Sequence, residues 1–251
     1  YSFHKQIAAL SRHFYVIAPD MKPYGQTAND LDGNHAFPHI ARELEALIQI
    51  LGIEKLHLAA HDRGVIAVDH LIARPDMEGR VLSYIRMQQS FNEPHGEPLP
   101  PHKQMASFIG TMAYRIRFGL QVLYKKSGYV KIPIDKEVVN RLSREFRFSG
   151  IPQAMPLSFK TTSFPKELGD REAFIFEKMT FPMLILQGKH DPGQHPEEYD
   201  QSHEVVPNCR VHFIDASHFF HLEAPEETSK VMLSFFQEYS EFSTTAQAPI
   251  S

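Results

Sequence analysis

Residues 58–64 constrain the fold of this chain more than any other short segment. They read L-A-A-H-D-R-G, so that an apolar run ends in the small residue Ala60, Asp62 follows, and Gly64 comes two positions later. The next residues, VIAVDHLIA, have the apolar pattern of a helix. A small-x-acid-x-small pattern between a strand and a helix is typical of a tight turn that lifts its central side chain above the edge of a sheet. The sequence therefore predicts that Asp62 stands at the end of a buried strand.

The central residue of this turn decides which chemistry is available. A carboxylate is ionised at neutral pH, so Asp62 needs no base before it attacks a saturated carbon and forms a covalent ester. Asp is also a favoured N-cap residue. Capping of the following helix is therefore the competing interpretation of the motif alone.

Two later segments favour the catalytic interpretation. The segment FPMLILQGKHDP, residues 181–192, is typical of a buried strand, and Asp191 follows its end. The segment CRVHFIDASH, residues 209–218, is a second strand that runs into His218. A nucleophile, an acid and a histidine in this order match a known catalytic triad. The alternatives are a turn-forming Asp191 before Pro192 and a packed core histidine at position 218.

With these motifs the chain resembles the α/β-hydrolase superfamily, in its Asp-nucleophile branch of epoxide hydrolases and haloalkane or haloacetate dehalogenases. Four blocks carry the resemblance: VIAPDMKPYGQT at 16–27, AAHDRG at 59–64, LILQGKHDP at 184–192 and SHFFHLEAPEE at 217–227. Family members also have earlier strands and an H-G-x-P-type loop that supplies one N–H of the oxyanion hole. The chain starts at Tyr1 and matches nothing of that loop, so the sequence is expected to be truncated at its N-terminus.

The pattern along the chain alternates strands with helices, which predicts an α/β fold with a mostly parallel sheet covered by helices on both faces. Strands are predicted at 14–18, 81–87, 184–186 and 211–214, in addition to the strand before Asp62, and a helix is predicted over 37–51. Residues 91–179 break the alternation with helical patterns over about 103–126, 136–148 and 169–179, where the superfamily places a cap. The predicted domains are a core of 1–90 and 180–240, a helical cap of 91–179 and a frayed tail of 241–251.

The resemblance implies a two-step reaction. Asp62 would attack an electrophilic carbon, and His218 would then act as the base for a water that hydrolyses the ester. Asp191 would orient His218 and stabilise its imidazolium form. The N–H of Arg63, the residue after the nucleophile, would hold the oxyanion.

The leaving group depends on other residues. Haloalkane dehalogenases commonly hold the halide with a Trp next to the nucleophile, whereas this chain has Arg63 there and no Trp. Haloacetate dehalogenases share an Arg at this place but have a second Arg where Ile66 stands. Epoxide hydrolases use an acid in the place of Asp191 and cap tyrosines as donors to the leaving oxygen, for which this chain offers Tyr114, Tyr124 and Tyr129.

The leading hypothesis is therefore an epoxide-hydrolase-like enzyme acting on a small or medium apolar substrate. The alternatives are a dehalogenase with an atypical halide site and a non-catalytic binding module of the same fold. No cofactor is expected. The histidines at 190, 195, 203 and 221 lack the spacing of zinc hydrolases, so we expect no metal site either.

Composition agrees with a small-molecule substrate. A net charge of −4 and a pI near 6.4 give no electrostatic reason to expect nucleic acid or an acidic membrane as a partner. No apolar run reaches membrane-spanning length and no signal peptide is visible. Cys209 is the single cysteine, which excludes an internal disulfide and leads us to expect a cytoplasmic location.

Overall fold

A computed structural model describes residues 1–27, 34–89, 91, 128–145, 154, 156–159 and 175–245, with side chains up to residue 240. The strands in this part are β1 (Leu56–His61), β2 (Val81–Met87), β3 (Met183–Gly188) and β4 (Cys209–Ile214). The α-helices are α1 (His4–Leu10), α2 (Phe37–Ile50), α3 (Arg63–Ile72), α4 (Lys136–Glu145), α5 (Ser202–Val205), α6 (Phe220–Glu223) and α7 (Pro225–Thr245). Short 3₁₀ turns cover Pro75–Met77, Phe176–Lys178 and Pro196–Tyr199.

The four strands form one parallel sheet in the order β1-β2-β3-β4. Leu58 pairs with Tyr84, and Leu186 pairs with His212. Because the strands are parallel, the loops that follow β1, β3 and β4 leave from the same edge of the sheet. Ligand sites of such sheets lie at this carboxyl edge.

Apolar side chains cover both faces of the sheet, as the strand pattern predicts. Along β3, Met183 and Ile185 join a core with α2 and α3, while Leu184 and Leu186 join a second core with α1 and α7. The alternation follows from the two-residue period of a strand. The expected mostly parallel sheet with helices on both faces is confirmed.

The strand predicted at residues 14–18 is wrong. This segment lies in neither a helix nor a strand, and none of the four strands of the described part pairs with it. Tyr15 is 87% exposed and Ile17 is 37% exposed. An apolar run forms a strand only where a neighbouring strand completes its hydrogen-bond ladder, and a run of residue types does not reveal that neighbour.

The predicted helices agree more closely. Helix α2 covers all but the last residue of the predicted 37–51, and α4 lies within the predicted 136–148. Helix α7 continues to Thr245, beyond residue 240 at which the core was expected to end. The helix predicted over 103–126 lies outside the described residues, and the division into core and cap stays a prediction. Of the helices in the described ranges, none is long and apolar enough to cross a membrane.

Candidate active site

Asp62 occupies the turn between β1 and α3. Its φ of 51° and ψ of −128° lie in a region that L-residues rarely adopt. The turn is held by hydrogen bonds from the Asp62 N–H to the Met87 oxygen at 3.1 Å and from the Val65 N–H to the Asp62 oxygen at 2.9 Å. The Asp62 side chain makes no capping hydrogen bond to α3. The capping interpretation is therefore wrong, and the carboxylate, 45% exposed, is left available for other contacts.

Two glycines near the site differ in how strongly the structure requires them. A Cβ at Gly64 would meet only the Ala60 Cβ among the described atoms, at an ordinary 3.9 Å. A Cβ at Gly188 would lie 2.0 Å from the Ser217 backbone oxygen. The residue that must lack a side chain is therefore Gly188, because the loop that carries His218 passes directly over the end of β3.

The three residues predicted as a triad lie together. His218 Nδ1 is 3.0 Å from Asp191 Oδ2, and His218 Nε2 is 3.7 Å from Asp62 Oδ2. The second distance is that of an ion pair rather than a hydrogen bond. Asp191 is 2% exposed, and its Oδ1 accepts the Gly193 N–H at 2.8 Å. Asp191 thus forms a turn with one oxygen and contacts the histidine with the other, so the expected turn and the expected contact with His218 occur together.

The charges of this cluster follow from its contacts. Partial burial opposes ionisation of Asp62, but the contact with His218 and the positive charge of Arg63 hold the pKa of its carboxyl well below its ordinary value. Burial also opposes protonation of His218, yet the contacts with Asp191 and Asp62 outweigh it and raise the pKa of His218 from 6.5 to about 9. At neutral pH the site therefore holds an imidazolium between two carboxylates.

The backbone oxygen of His218 accepts hydrogen bonds from two further side chains. His61 Nε2 lies 3.0 Å from it, and Gln88 Nε2 lies 3.1 Å from it. The Gln88 amide also donates to Asp191 Oδ2. Sequence reasoning missed both residues. The signal available for Gln88 was a polar Gln-Gln pair directly after the apolar strand β2.

Arg63 has its guanidinium in an aromatic cluster. The group lies 4.3 Å from the Phe159 ring centroid and 5.0 Å from that of Phe37, and the side chain is in hydrogen-bond contact with Tyr24. Cation–π contacts of this kind stabilise a cation away from water. Arg63, Tyr24 and Asp62 line a cavity of about 480 Å³ together with Phe219. Tyr24 is a further residue of the candidate site that the sequence reasoning did not single out.

Of the three predicted tyrosine donors, Tyr129 lies in the described part and Tyr114 and Tyr124 lie outside it. The Tyr129 ring packs edge-on against the His218 ring at a centroid distance of 5.2 Å. Burial, together with the charges of Asp191 and Asp62, raises the pKa of the Tyr129 hydroxyl. Tyr129 is thus close to the predicted triad and stays protonated at neutral pH.

Within the described ranges, no group of three His, Cys, Asp or Glu side chains is arranged to hold a metal ion. His190 instead contacts Asp215, with Nε2 2.6 Å from Oδ1. His221 is buried, and its ring lies 4.6 Å from that of His61.

The chain is similar in sequence to known hydrolases. No family model matches the chain. The uncharacterized hydrolase YugF of Bacillus subtilis is 23% identical over 248 residues, which cover 94% of this chain and 85% of YugF. Epoxide hydrolase B of Mycobacterium tuberculosis is 32% identical over 95 residues, which cover 36% of this chain and 26% of that protein.

The solved structure of the epoxide hydrolase CorEH matches 95% of this chain and 87% of its own length, with a TM-score of 0.77 and 18% identity. The chain has the α/β-hydrolase fold. The predicted resemblance to this superfamily is therefore confirmed, and the relatives are enzymes by name. Other structures of similar fit are esterases, a bromoperoxidase, an enol-lactonase and a haloalkane dehalogenase. Since one fold serves so many reactions, the reaction must be argued from the site.

Proposed function

We propose that this α/β-hydrolase-fold protein is an epoxide-hydrolase-like enzyme that works through a covalent ester on Asp62. One observation carries the proposal. Asp62 lies in a strained turn, makes no capping hydrogen bond, and has its Oδ2 3.7 Å from the Nε2 of His218. The Nδ1 of His218 contacts the buried carboxylate of Asp191. A helix cap or a structural ion pair would not require the positive φ of Asp62.

The first step needs a nucleophile and a proton donor. The lowered pKa of Asp62 keeps the carboxylate ionised, so one of its oxygens can bond to an epoxide carbon while the carbon–oxygen bond of the ring breaks. The oxygen that is released takes a proton from a donor. Tyr129, which lies against His218, is the candidate among the described tyrosines.

The second step needs a base. Esterification removes the negative charge of Asp62, which is one of the two that raise the pKa of His218. The pKa of His218 is then expected to fall, so that its proton passes to the phenolate left on Tyr129. The neutral imidazole can then take a proton from water. The water oxygen bonds to the ester carbonyl carbon, the acyl–oxygen bond breaks, and the released alkoxide takes the proton of the new carboxylic acid. The products are a diol and the regenerated Asp62 carboxylate, and His218 is again an imidazolium. The N–H of Arg63, at the start of α3, would stabilise the transient oxyanion.

A dehalogenase is the second candidate, and the buried cation of Arg63 next to Asp62 favours it. Such a cation could stabilise a departing halide or pair with a substrate carboxylate. Against it stands the complete lack of Trp, whose indole N–H would otherwise bind the halide.

The two candidates are separated by incubating the protein with a panel of epoxides and a panel of haloalkanes and haloacids, and by measuring diol and halide release separately. We expect diol release. The variant Tyr129→Phe should lower epoxide turnover strongly and leave the rate of Asp62 alkylation by a haloalkane almost unchanged, because a phenol aids a poor oxygen leaving group more than a halide. Tyr15→Phe, at an 87% exposed position, is the matched control. Halide release without diol release would reject the epoxide assignment.

A further inference from the structure

Gln88 lies between the acid and the histidine of the candidate site. Its side-chain amide donates to Asp191 Oδ2 and, at 3.1 Å, to the backbone oxygen of His218. Asp191 Oδ2 is also the oxygen that lies 3.0 Å from His218 Nδ1. Both neighbours of the amide are acceptors, so its nitrogen rather than its oxygen must face them. The orientation of Gln88 is thereby fixed by chemistry.

The turn that carries Gln88 is strained and firmly held. Gln88 and Gln89 have φ values of 63° and 68°, in the left-handed region that favours glycine. The Arg86 guanidinium donates to the Gln89 backbone oxygen and pairs with Asp69 at 3.0 Å, and both of these charged side chains are 0% exposed. The turn is thus anchored by an ion pair that is itself enclosed in the core.

The Gln88 side chain is held in place at some energetic disadvantage. It is 1% exposed, and within the described part its Oε1 has no hydrogen-bond partner. Burying an amide oxygen in this way is unfavourable, and so are two consecutive left-handed residues. Strain of this kind persists where the surrounding structure enforces it, often at functional sites.

We propose that Gln88 is a positioning residue that fixes the Asp191–His218 pair relative to Asp62. Its amide holds Asp191 Oδ2 against His218 Nδ1 and also holds the His218 backbone, so that His218 Nε2 is kept facing the nucleophile. His61 supports the same backbone oxygen from the end of β1. The inference rests on the proposed roles of Asp62, His218 and Asp191.

The test compares one site variant with one matched control. Gln88→Met keeps the length of the side chain and removes the amide. Gln6→Met makes the same change at another glutamine that is 1% exposed, whose amide donates to the backbone oxygens of His221 at 2.9 Å and Pro225 at 3.4 Å. Both variants lose two buried amide hydrogen bonds, but Gln6→Met leaves the contacts of Asp191 and His218 unchanged.

In single-turnover experiments, Gln88→Met should slow hydrolysis of the Asp62 ester by on the order of 100-fold, the effect of misplacing a reacting group by about 1 Å. Formation of the ester should change little, because that step uses Asp62 directly. Gln6→Met should keep both rates per folded molecule. Equal slowing in the two variants would show general destabilisation and would overturn the role given to Gln88.

Gln88→Glu provides a readout that a merely structural role would not affect. When protonated, the new carboxyl group can donate one hydrogen bond as the amide does, so hydrolysis should be retained at low pH. The charge of Asp191 should raise the pKa of the new group, and hydrolysis should fall as pH rises through that value. The wild type should not show this fall, and an identical pH profile in the two proteins would overturn the proposal.

A titration of the free protein tests the same point without a substrate. The charged and titratable groups that face His218 are Asp62, Asp191, His61 and His221, with the Tyr129 ring against it. By NMR of the histidine rings, the midpoint of His218 should fall from about 9 towards 6.5 in Gln88→Met and stay in place in Gln6→Met. An unchanged midpoint in Gln88→Met would overturn the inference. Absence of an Asp62 adduct in His218→Gln after exposure to epoxides, with the midpoint in Gln88→Met shifted as expected, would instead reject the proposed function alone.

Discussion

Two neighbouring regions of the candidate site shift the pKa of a histidine in opposite directions. The rings of His218 and His61 lie 5.2 Å apart, yet the pKa of His218 rises to about 9 and that of His61 falls to about 4. Burial disfavours the charged form of both residues. His218 faces the carboxylates of Asp62 and Asp191, whereas His61 faces aromatic rings and the charge of His218 itself.

This difference matches the roles proposed for the two histidines, proton transfer for His218 and support of its backbone for His61. A carboxylate within about 4 Å can outweigh the desolvation of an imidazolium, and a carbonyl acceptor alone does not. His61 is therefore held neutral, with Nε2 as the donor to the His218 backbone oxygen. In the proposed reaction the charge of His218 would change when Asp62 is esterified, and this property would suit His218 to proton transfer.

The largest effect is expected from removing the charged histidine. His218→Gln should trap the ester, because alkylation of Asp62 needs no base whereas hydrolysis does; the loss in hydrolysis should be about 10³- to 10⁴-fold. Intact-mass measurement after exposure to substrate should show one adduct, located in the peptide that contains Asp62. If substrate is turned over by the wild type but leaves His218→Gln unmodified, the two-step scheme is wrong.

The next test removes one of the two carboxylates that distinguish His218 from His61. Asp191→Asn should slow hydrolysis of the ester by about 100-fold and slow its formation less, since Asp191 contacts His218 and not the reacting carbon. It should also lower the midpoint of His218 towards its ordinary value. The matched control is Asp215→Asn, which removes an exposed carboxylate paired with His190. Full turnover in Asp191→Asn would show that the acid has been misassigned.

Because the pKa of one buried histidine is lowered and that of another is raised, the two should make the free energy of unfolding depend on pH in opposite directions. His57, on β1, repeats the situation of His61: burial lowers its pKa from 6.5 to about 4. The unfolded chain then binds a proton that the folded chain does not, so stability present above pH 6.5 is lost as pH falls towards 4. His218 acts in the other direction, because its contribution is present below pH 6.5 and is lost as pH rises towards 9.

Urea unfolding of the wild type and of His57→Gln between pH 4 and pH 9 measures this difference. Gln does not titrate and can keep hydrogen bonds to Ser83 and Ser240, which His57 contacts at 2.7 and 2.9 Å. The loss of stability between pH 6.5 and 4 should shrink in the variant, while the loss between 6.5 and 9 should not change. Parallel curves across the whole range would contradict the burial argument.

The smallest effect on stability is expected at Gly64, in the first turn of α3, directly after the turn that carries Asp62. Gly64→Ala should change stability by no more than about 0.5 kcal/mol, because the new Cβ would lie at an ordinary 3.9 Å from Ala60. Gly188→Ala, which brings a Cβ to 2.0 Å from the Ser217 oxygen, is the contrasting control and should be strongly destabilising. Thermal unfolding of both variants decides whether Gly64 or Gly188 is the position that tolerates a Cβ less well.

Much of the site could be predicted because its signals are local. The pattern around Asp62 specifies a strand, a tight turn and a helix, and Asp191 and His218 follow recognisable strands. The apolar run at 14–18 gave a wrong strand, since a strand requires a partner that the run does not specify. Gln88 was missed because the Gln-Gln pair after β2 does not show which of its polar side chains turns inward. Tyr24 was missed because its neighbours in the sequence do not show that it contacts Arg63.

Apart from the strand expected at 14–18, the sequence by itself determined the main helices and strands, their order and the residue types at the ends of the strands. Only the tertiary structure decided how those groups are charged. His61 and the oxygen of His218 are 157 residues apart in the chain, and Gln88 and that oxygen are 130 residues apart. A pKa depends on neighbours and burial within a few ångströms, and here those neighbours come from the ends of separate strands. The periodicity of apolar residues is a property of one segment. The opposite pKa shifts of His218 and His61 depend on residues that only the assembled edge of the sheet brings together.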